Sequence, residues 1–302
     1  MNRIETLLIT GSNGFIGQSF LHYLSKIPTD ILPKEIVLVN RKPPPNSNLE
    51  ILDNCKISYV KADLTKPWDF NQKISHVLNL AGDGSIDAYS KDSAKNFIKI
   101  CENLSKWASR NKPKVVVHAS SGACYYSDVL DRTYESKKYL IESRKKGEVI
   151  LENLSQDLGI NVLSARLFTF IGPNILNKLQ YAASSFVRNA IDNDLIVVSG
   201  NPSSVRSYMH ETTMSEWLYK CLVVNKPEGI ISIGSSVPVT IQELAEFISS
   251  KTNADIKFDN KMGKPSIYLP RLKHELNYLS VTEGPKWQVS VDECISIYRK
   301  KR

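Results

Sequence analysis

Little in this chain marks it for an oxidising compartment, a metal or a membrane. Its five cysteines (Cys55, Cys101, Cys124, Cys221 and Cys294) are scattered, odd in number and without Cys-x-x-Cys spacing. That argues against a disulfide framework and a zinc site, and for reduced thiols in a cytoplasmic protein. No apolar run is long enough to span a bilayer, and the N-terminus enters a strand too early to leave room for a signal peptide. His118 and His210 lack a partner at metal-ligand spacing and read as structural, so no metal is expected. Zinc-finger spacing, aromatic-basic RNA motifs, internal repeats and low-complexity segments are also missing.

What is present fits one large α/β domain with a smaller lobe. The chain has 302 residues, of which 42% are hydrophobic and 23% charged, enough for a sizeable buried core. Its net charge is +8, densest at Lys137-Lys138, Arg144-Lys145-Lys146 and the tail Arg299-Lys300-Lys301-Arg302, which is expected to fray. Such charge suits an anionic ligand, with nucleic acid as the other reading.

The most informative stretch runs Leu7-Leu8-Ile9-Thr10-Gly11-Ser12-Asn13-Gly14-Phe15-Ile16-Gly17. An apolar strand ends at Thr10, three glycines follow at three-residue spacing, and a helical pattern opens at Gln18. Gly11 permits the tight turn, Gly14 lets a pyrophosphate approach the backbone, and Gly17 lets the helix pack closely on the strand. Backbone N–H groups at the helix start, with the positive end of its dipole, suit a phosphate. A glycine-rich turn without a ligand is the plainer reading.

Phe15 to Lys26 carries apolar residues at helical spacing and is closed by Pro28. Glu35 to Asn40 reads as a buried parallel strand. At the end of such a strand a carboxylate binds the ribose 2′-hydroxyl of NAD, whereas an arginine accommodates the 2′-phosphate of NADP. Here no carboxylate follows Asn40, and Arg41 points to NADP over NAD, a solvated basic loop being the alternative. Ile57 to Leu64, His76 to Gly82 and Val115 to Ser121 supply further strands, with a helix from about Ser90 to Arg110. Strand and helix alternate as in a doubly wound parallel sheet, whose ligands sit at the carboxyl ends of the strands. Gly11, Arg41, Asp63, Ala81, Gly82 and Ser121 all fall there.

The chain resembles the extended short-chain dehydrogenase/reductases, in particular their NAD(P)-dependent epimerase/dehydratase branch, which modifies nucleotide sugars. Thr10 to Gly17 is similar to the family's TGxxGFIG turn, which implies coenzyme contacts at Gly11, Asn13, Gly14, Phe15, Ile16 and Gly17. Asp63-Leu64 resembles the pair at the adenine edge. Ser120-Ser121-Gly122-Ala123-Cys124-Tyr125 resembles the serine segment, implying a catalytic Ser121 with Ser120 at the substrate. Asn96 sits where relatives place a helix asparagine. Ala165 to Phe168 with Ile171 to Asn174, Arg206 to His210, and Thr240 to Ala245 are similar to later family elements. They imply substrate contacts at Asn174, at Arg206 (the diphosphate) and, less closely matched, at Arg271.

The pattern breaks where relatives carry a tyrosine and, four residues on, a lysine. A phenol, with a pKa of about 10, needs a nearby cation to ionise near neutrality. Counting back from Arg166 or Glu148 puts Leu140 and Arg144 at those positions. Leucine exchanges no proton, and arginine's planar fork differs from an ammonium. Tyr139 takes the role if the helix starts in a shifted register. Tyr134 and Lys138 form a true Tyr-x-x-x-Lys pair about two turns early, and Tyr125 or Tyr126 lies beside the serine loop.

These readings give a Rossmann-type doubly wound parallel sheet over residues 1–170, completed by about 205–233. A smaller C-terminal α+β substrate lobe follows over 171–302. Substrate is expected in the cleft between lobes, with Leu176 to Val187, including Tyr181 and Phe186, covering the nucleotide. The resemblance also implies a homodimer through the helices near 90–110 and 139–156, and a nucleotide-sugar substrate without nucleic acid or membrane as partner. The expected activity is reduction, epimerisation or dehydration of a nucleotide-activated hexose in surface-polysaccharide synthesis. Arg41 tilts it toward an NADPH-dependent 4-keto-sugar reductase. The alternative is a catalytically weak relative that binds NAD(P) or a sugar nucleotide as a sensor or partner subunit.

Overall fold

The computed structural model describes residues 3–43, 55–82, 89–128, 132–226, 228–259, 263–272 and 274–302, without the side chains of 126–128 and 132–136. β1 (Thr6–Thr10) places Leu7, Leu8 and Ile9 completely out of solvent. A strand apolar on both faces suits the centre of a parallel sheet, and each such side chain contributes about 1.5–3 kcal/mol by burial. β1 pairs in parallel with β2 (Glu35–Asn40) and β4 (His76–Asn79). β2 pairs with β3 (Lys56–Lys61), β4 with β5 (Val115–Ser121), and β5 with β6 (Asn161–Leu167), all in parallel. With β11 (Gly229–Ile233) the sheet runs β11-β6-β5-β4-β1-β2-β3, the Rossmann-type α/β fold.

Helices α1 (Phe15–Leu24), α2 (Lys91–Asn111) and α3 (Arg132–Leu158) connect these strands. α1 opens at Phe15, where the helical spacing of apolar residues begins, after Gly14 in the extended geometry of a helix cap, φ −75° and ψ 168°. α2 starts where Ser90 accepts a hydrogen bond from the Ser93 N–H. α3 starts about two turns ahead of the expected Tyr139. The polar stretch before Tyr139 has no apolar periodicity, so its helical state was not readable from hydrophobic spacing.

The chain divides into two compact units, Met1–Leu167 with Ser215–Ile231, and Phe168–Met214 with Ser232–Arg302. In the first, Trp68 and Trp107 pack with ring centroids 5.8 Å apart in a core that includes Phe97, Leu104 and Leu151. The second is built around Phe186, Val187, Leu244, Ile248 and Val291. It contains β7 (Phe170–Ile171), α4 (Ala182–Asn193), β8 (Leu195–Val198), β9 (Val205–Arg206) and β10 (Met209–His210). α5 (Glu211–Val223) carries the chain back to the first unit. β12 (Val239–Thr240), α6 (Ile241–Thr252), β13 (Asp255–Phe258), β14 (Ile267–Tyr268), α7 (Glu275–Leu279) and α8 (Trp287–Lys300) complete the second.

Within the stretch 205–233 it is β11 that joins the main sheet. β9 pairs with β12 and β14, and β10 with β7; the Arg206 guanidinium donates to Ser266, just before β14, and so fastens β9 to β14. The basic tail is also fixed rather than frayed: Arg299 donates to the Lys251 carbonyl and Arg302 to that of Ile191.

Candidate coenzyme and substrate site

The three glycines of the first turn are there for different reasons. Gly11 has φ +68°, and a Cβ on it would lie 2.7 Å from the Leu80 carbonyl oxygen and 2.9 Å from the Ala81 nitrogen. A Cβ on Gly17 would lie 2.4 Å from the Ser12 Cα, so this glycine packs against the turn itself rather than against β1. The fold alone requires both. Gly14 is exposed with φ −75°, and its Cβ would meet only the Gly11 carbonyl oxygen at 3.3 Å. That contact is tight, and Gly14 also holds the helix-cap position of α1, so the fold favours a small residue there; its solvent side is open for a ligand to approach the backbone. The helix it opens has no side-chain cap and no acidic residue in its first turn. Its first N–H groups at Phe15 and Ile16 are therefore available to an anion. By contrast, Thr240 and Glu243 close the start of α6 with a full capping box.

The second strand meets this turn at its polar end. Asn40 is buried, and its amide donates to the Ser12 hydroxyl at 2.6 Å. Asn13, expected at the coenzyme, donates instead to the carbonyls of Lys42 (2.9 Å) and Pro43 (3.2 Å), fastening the glycine turn to the loop after β2. Arg41 on that loop is exposed. Asp63 is exposed too, and the Thr65 hydroxyl and N–H bonds hold its carboxyl below the ordinary range, Lys66 and Arg41 adding to the effect. The Leu64 side chain is in the core while its carbonyl accepts from Trp68 and Asn103.

At the end of β4 the Ala81 N–H donates to the Thr10 hydroxyl at 3.1 Å. Gly82 is exposed, and a Cβ there would lie 3.1 Å from an Arg144 nitrogen. Arg144 itself is buried, with its guanidinium 3.5 Å from the centre of the Phe97 ring. Asn96, by contrast, is exposed. On β5, Ser121 is half-buried and its hydroxyl accepts from the Ala123 N–H. Ser120, expected at the substrate, is buried and donates to Glu148 at 2.5 Å. Glu148 in turn receives two bonds from Arg166, at 2.9 and 2.7 Å, and Arg166 lies 4.4 Å over the Tyr125 ring.

Helix α3 corrects the expectation for Tyr139. The helix is already established at Arg132, so no shifted start is available. Tyr139 lies about 100° around the helix from Leu140 and is 42% exposed. Leu140 and Arg144, four apart, share the inner face. Lys138 is exposed. The side chains of Tyr134 and Tyr126 lie outside the described residues.

In the second unit, a buried Glu211 carboxylate accepts from the backbone and side-chain amides of Asn174, which is itself exposed. Arg206 donates to the Val205 carbonyl and to the carbonyl and hydroxyl of Ser266. These acceptors are uncharged, and among the described residues no ion pair to Arg206 is seen. It borders a cavity of about 260 Å³ with Gln180, Ser185, Ser199, Asn201 and Ile241 on its walls. Phe186 reaches this cavity from the core and Tyr181 is exposed. Arg271 is exposed. His210 Nε2 donates to the Glu293 carboxylate, 2.8 Å away, while its Nδ1 accepts from the Thr212 N–H. Among the described residues no cluster of metal-binding side chains occurs, and no helix is long and apolar enough to cross a membrane.

Reading the sequence missed Asn40 and Asn79. One signal was available: each is a single amide ending an otherwise apolar strand. It also missed Phe97 beneath Arg144, for which no local signal exists.

The open glycine turn at the head of a parallel doubly wound sheet defines a dinucleotide-binding, Rossmann-type protein. Residues 7–234 match the NAD dependent epimerase/dehydratase family, and the chain belongs to it. UDP-glucuronic acid decarboxylase 1 of Arabidopsis thaliana is 23% identical over 94% of this chain and 69% of its own length. In fold the chain is similar to the UDP-N-acetylglucosamine 4-epimerase of Methanobrevibacter ruminantium M1 in complex with UDP-N-acetylmuramic acid. That likeness has a TM-score of 0.83 at 18% identity and covers 100% of both chains. It is similar as well to MoeE5 in complex with UDP-glucuronic acid and NAD, with a TM-score of 0.81 and 18% identity over 98% of this chain and 100% of that one.

Proposed function

We propose that this chain is an NADPH-dependent reductase of a nucleotide-activated 4-keto sugar, serving surface-polysaccharide synthesis. Gly14 carries the reading, because it leaves the backbone at the uncapped start of α1 exposed and open to a pyrophosphate. The N–H groups of Phe15 and Ile16 take the pyrophosphate, Asp63 and the Leu64 backbone the adenine, and Ala81-Gly82 flank the coenzyme. Arg41 takes the 2′-phosphate; Asn40 offers no carboxylate to the ribose, and its amide is already committed to Ser12. When bound, the coenzyme supplies the hydride. Arg206, on the wall of the second unit's cavity, takes the diphosphate of the sugar nucleotide, with Asn174 and Arg271 as further contacts. That the relatives include UDP-glucuronic acid decarboxylases supports a nucleotide sugar as substrate. The protein works as a homodimer through α2 and α3, where Tyr139 and Val149 expose apolar surface.

Ser121 donates a hydrogen bond to the sugar oxygen that changes from carbonyl to alcohol. The proton comes from Tyr134, with Lys138 as the adjacent cation that favours its release. The test follows NADPH absorbance with a panel of 4-keto sugar nucleotides. Wild type consumes NADPH stoichiometrically, while Ser121→Ala and Tyr134→Phe each lose about 10²–10⁴-fold in turnover and bind NADPH unchanged. Full activity in Tyr134→Phe removes that proton donor. A second reading rests on Leu140, which puts a side chain without a proton where relatives carry tyrosine: the chain then binds its ligands without turning them over. Tight NADPH binding with no consumption across the panel selects it.

A further inference from the structure

Under the carboxyl ends of β1, β4 and β5 lies a line of hydrogen bonds with one direction. The Ala81 N–H donates to Thr10 Oγ1, and Thr10 donates to Asn79 Oδ1 at 2.6 Å. The Asn79 oxygen being taken, its NH₂ is the group that faces His118 Nδ1 at 3.0 Å. An NH₂ only donates, so Nδ1 must accept and the ring hydrogen must sit on Nε2. Nε2 faces the Cys101 sulfur at 4.0 Å. Thr10, Asn79 and His118 are all completely buried.

Around the imidazole the fold leaves no slack. The Phe97 ring lies 5.4 Å from it, with the Arg144 guanidinium stacked on that same ring. From α3, Gly147 closes the space: a Cβ there would lie 2.8 Å from the Phe97 ring, 2.9 Å from Cys101 Sγ and 3.4 Å from His118 Nε2. Burial, helped by the Arg144 charge, pushes the imidazole down to about 3, and burial pushes the Cys101 thiol up to about 12. The ring is therefore a fixed neutral acceptor.

The other end of the line fastens the two backbones that must stay in register for a ligand. Gly11 rests directly on Leu80 and Ala81, without room for one further carbon, and the Thr10–Ala81 bond joins the same two segments. We propose that His118 is a positioning residue for the coenzyme, fixing through Asn79 and Thr10 the spacing between the glycine turn and the end of β4. It touches no part of the coenzyme, and the proposal rests on the glycine turn being the coenzyme site.

The test compares His118→Asn, which keeps an acceptor near the Nδ1 position but loses bulk, with His118→Phe, which keeps bulk but loses the acceptor. NADPH and NAD dissociation constants are measured by calorimetry, melting of the free protein is recorded, and nitrogen-15 NMR reads the His118 tautomer. The expected result is an Nε2–H ring in wild type. The better-bound coenzyme weakens about tenfold in His118→Phe, the size of one lost buried hydrogen bond, and by less than about threefold in His118→Asn. Affinity then follows the acceptor and not the order of melting temperatures. An Nδ1–H tautomer, equal affinity in His118→Phe and wild type, or equal losses in both variants overturns the proposal. Absence of binding by wild type instead overturns the coenzyme site itself.

Discussion

His118 and Ser120 point to the same face of β5, two residues apart, yet the networks they enter are opposites. Ser120 donates to a buried ion pair, in which Glu148 receives both Arg166 bonds. His118 ends a line with no charge in it. The ionic network joins β5, α3 and β6, which must hold together whatever is bound. The neutral line joins β5, β4 and β1 and ends at the glycine turn. A charged pair fixes elements firmly but punishes the loss of either member. An uncharged line transmits position at small cost, because each group has only one way to donate.

The ionic side is where the comparison breaks hardest. Glu148→Gln leaves Arg166 buried beside a neutral amide and should cost about 3–5 kcal/mol in denaturant unfolding. Replacing both partners, Glu148→Met with Arg166→Met, should recover most of that loss, since the uncompensated charge is gone. A double variant as unstable as the single one would mean that the pair acts by more than charge.

The neutral side gives a smaller effect with a sign set by linkage. An unfolded imidazole binds its proton near its ordinary value of 6.5, whereas folded His118 stays neutral down to about 3. Between those limits the unfolded state binds more protons, so stability is full above the unfolded value and falls as pH drops. His76, pushed down to about 4 by burial, contributes with the same sign. His118→Phe should therefore flatten the slope of unfolding free energy against pH by up to about 1.4 kcal/mol per pH unit in that window. His76 keeps the remainder. An unchanged slope would mean that His118 is protonated inside the fold.

Much of this was readable before any coordinates. Glycine spacing and strands ending in small residues mark where backbone must pass near a ligand, and that signal is local. The parallel, doubly wound character of the sheet followed from alternation of strand and helix. The bond from Ser120 to Glu148 was not legible, because Glu148 is far along the chain and serine pairs look alike whatever they face. Tyr139 was misplaced because a helix start in a polar, charged stretch leaves no hydrophobic period to read. The two-residue strands β9 and β10 are too short for any alternation to register.

The central claim is that a coenzyme approaches the backbone at Gly14. Calorimetric titration of wild type and Gly14→Val with NADPH and NAD, beside their thermal melting, tests it most directly. The account predicts a variant that still melts cooperatively, with a modest loss of about 1 kcal/mol at the helix cap, and one coenzyme bound per chain in wild type and none in the variant. Equal binding by the two proteins, or no heat from wild type with either coenzyme, would contradict it.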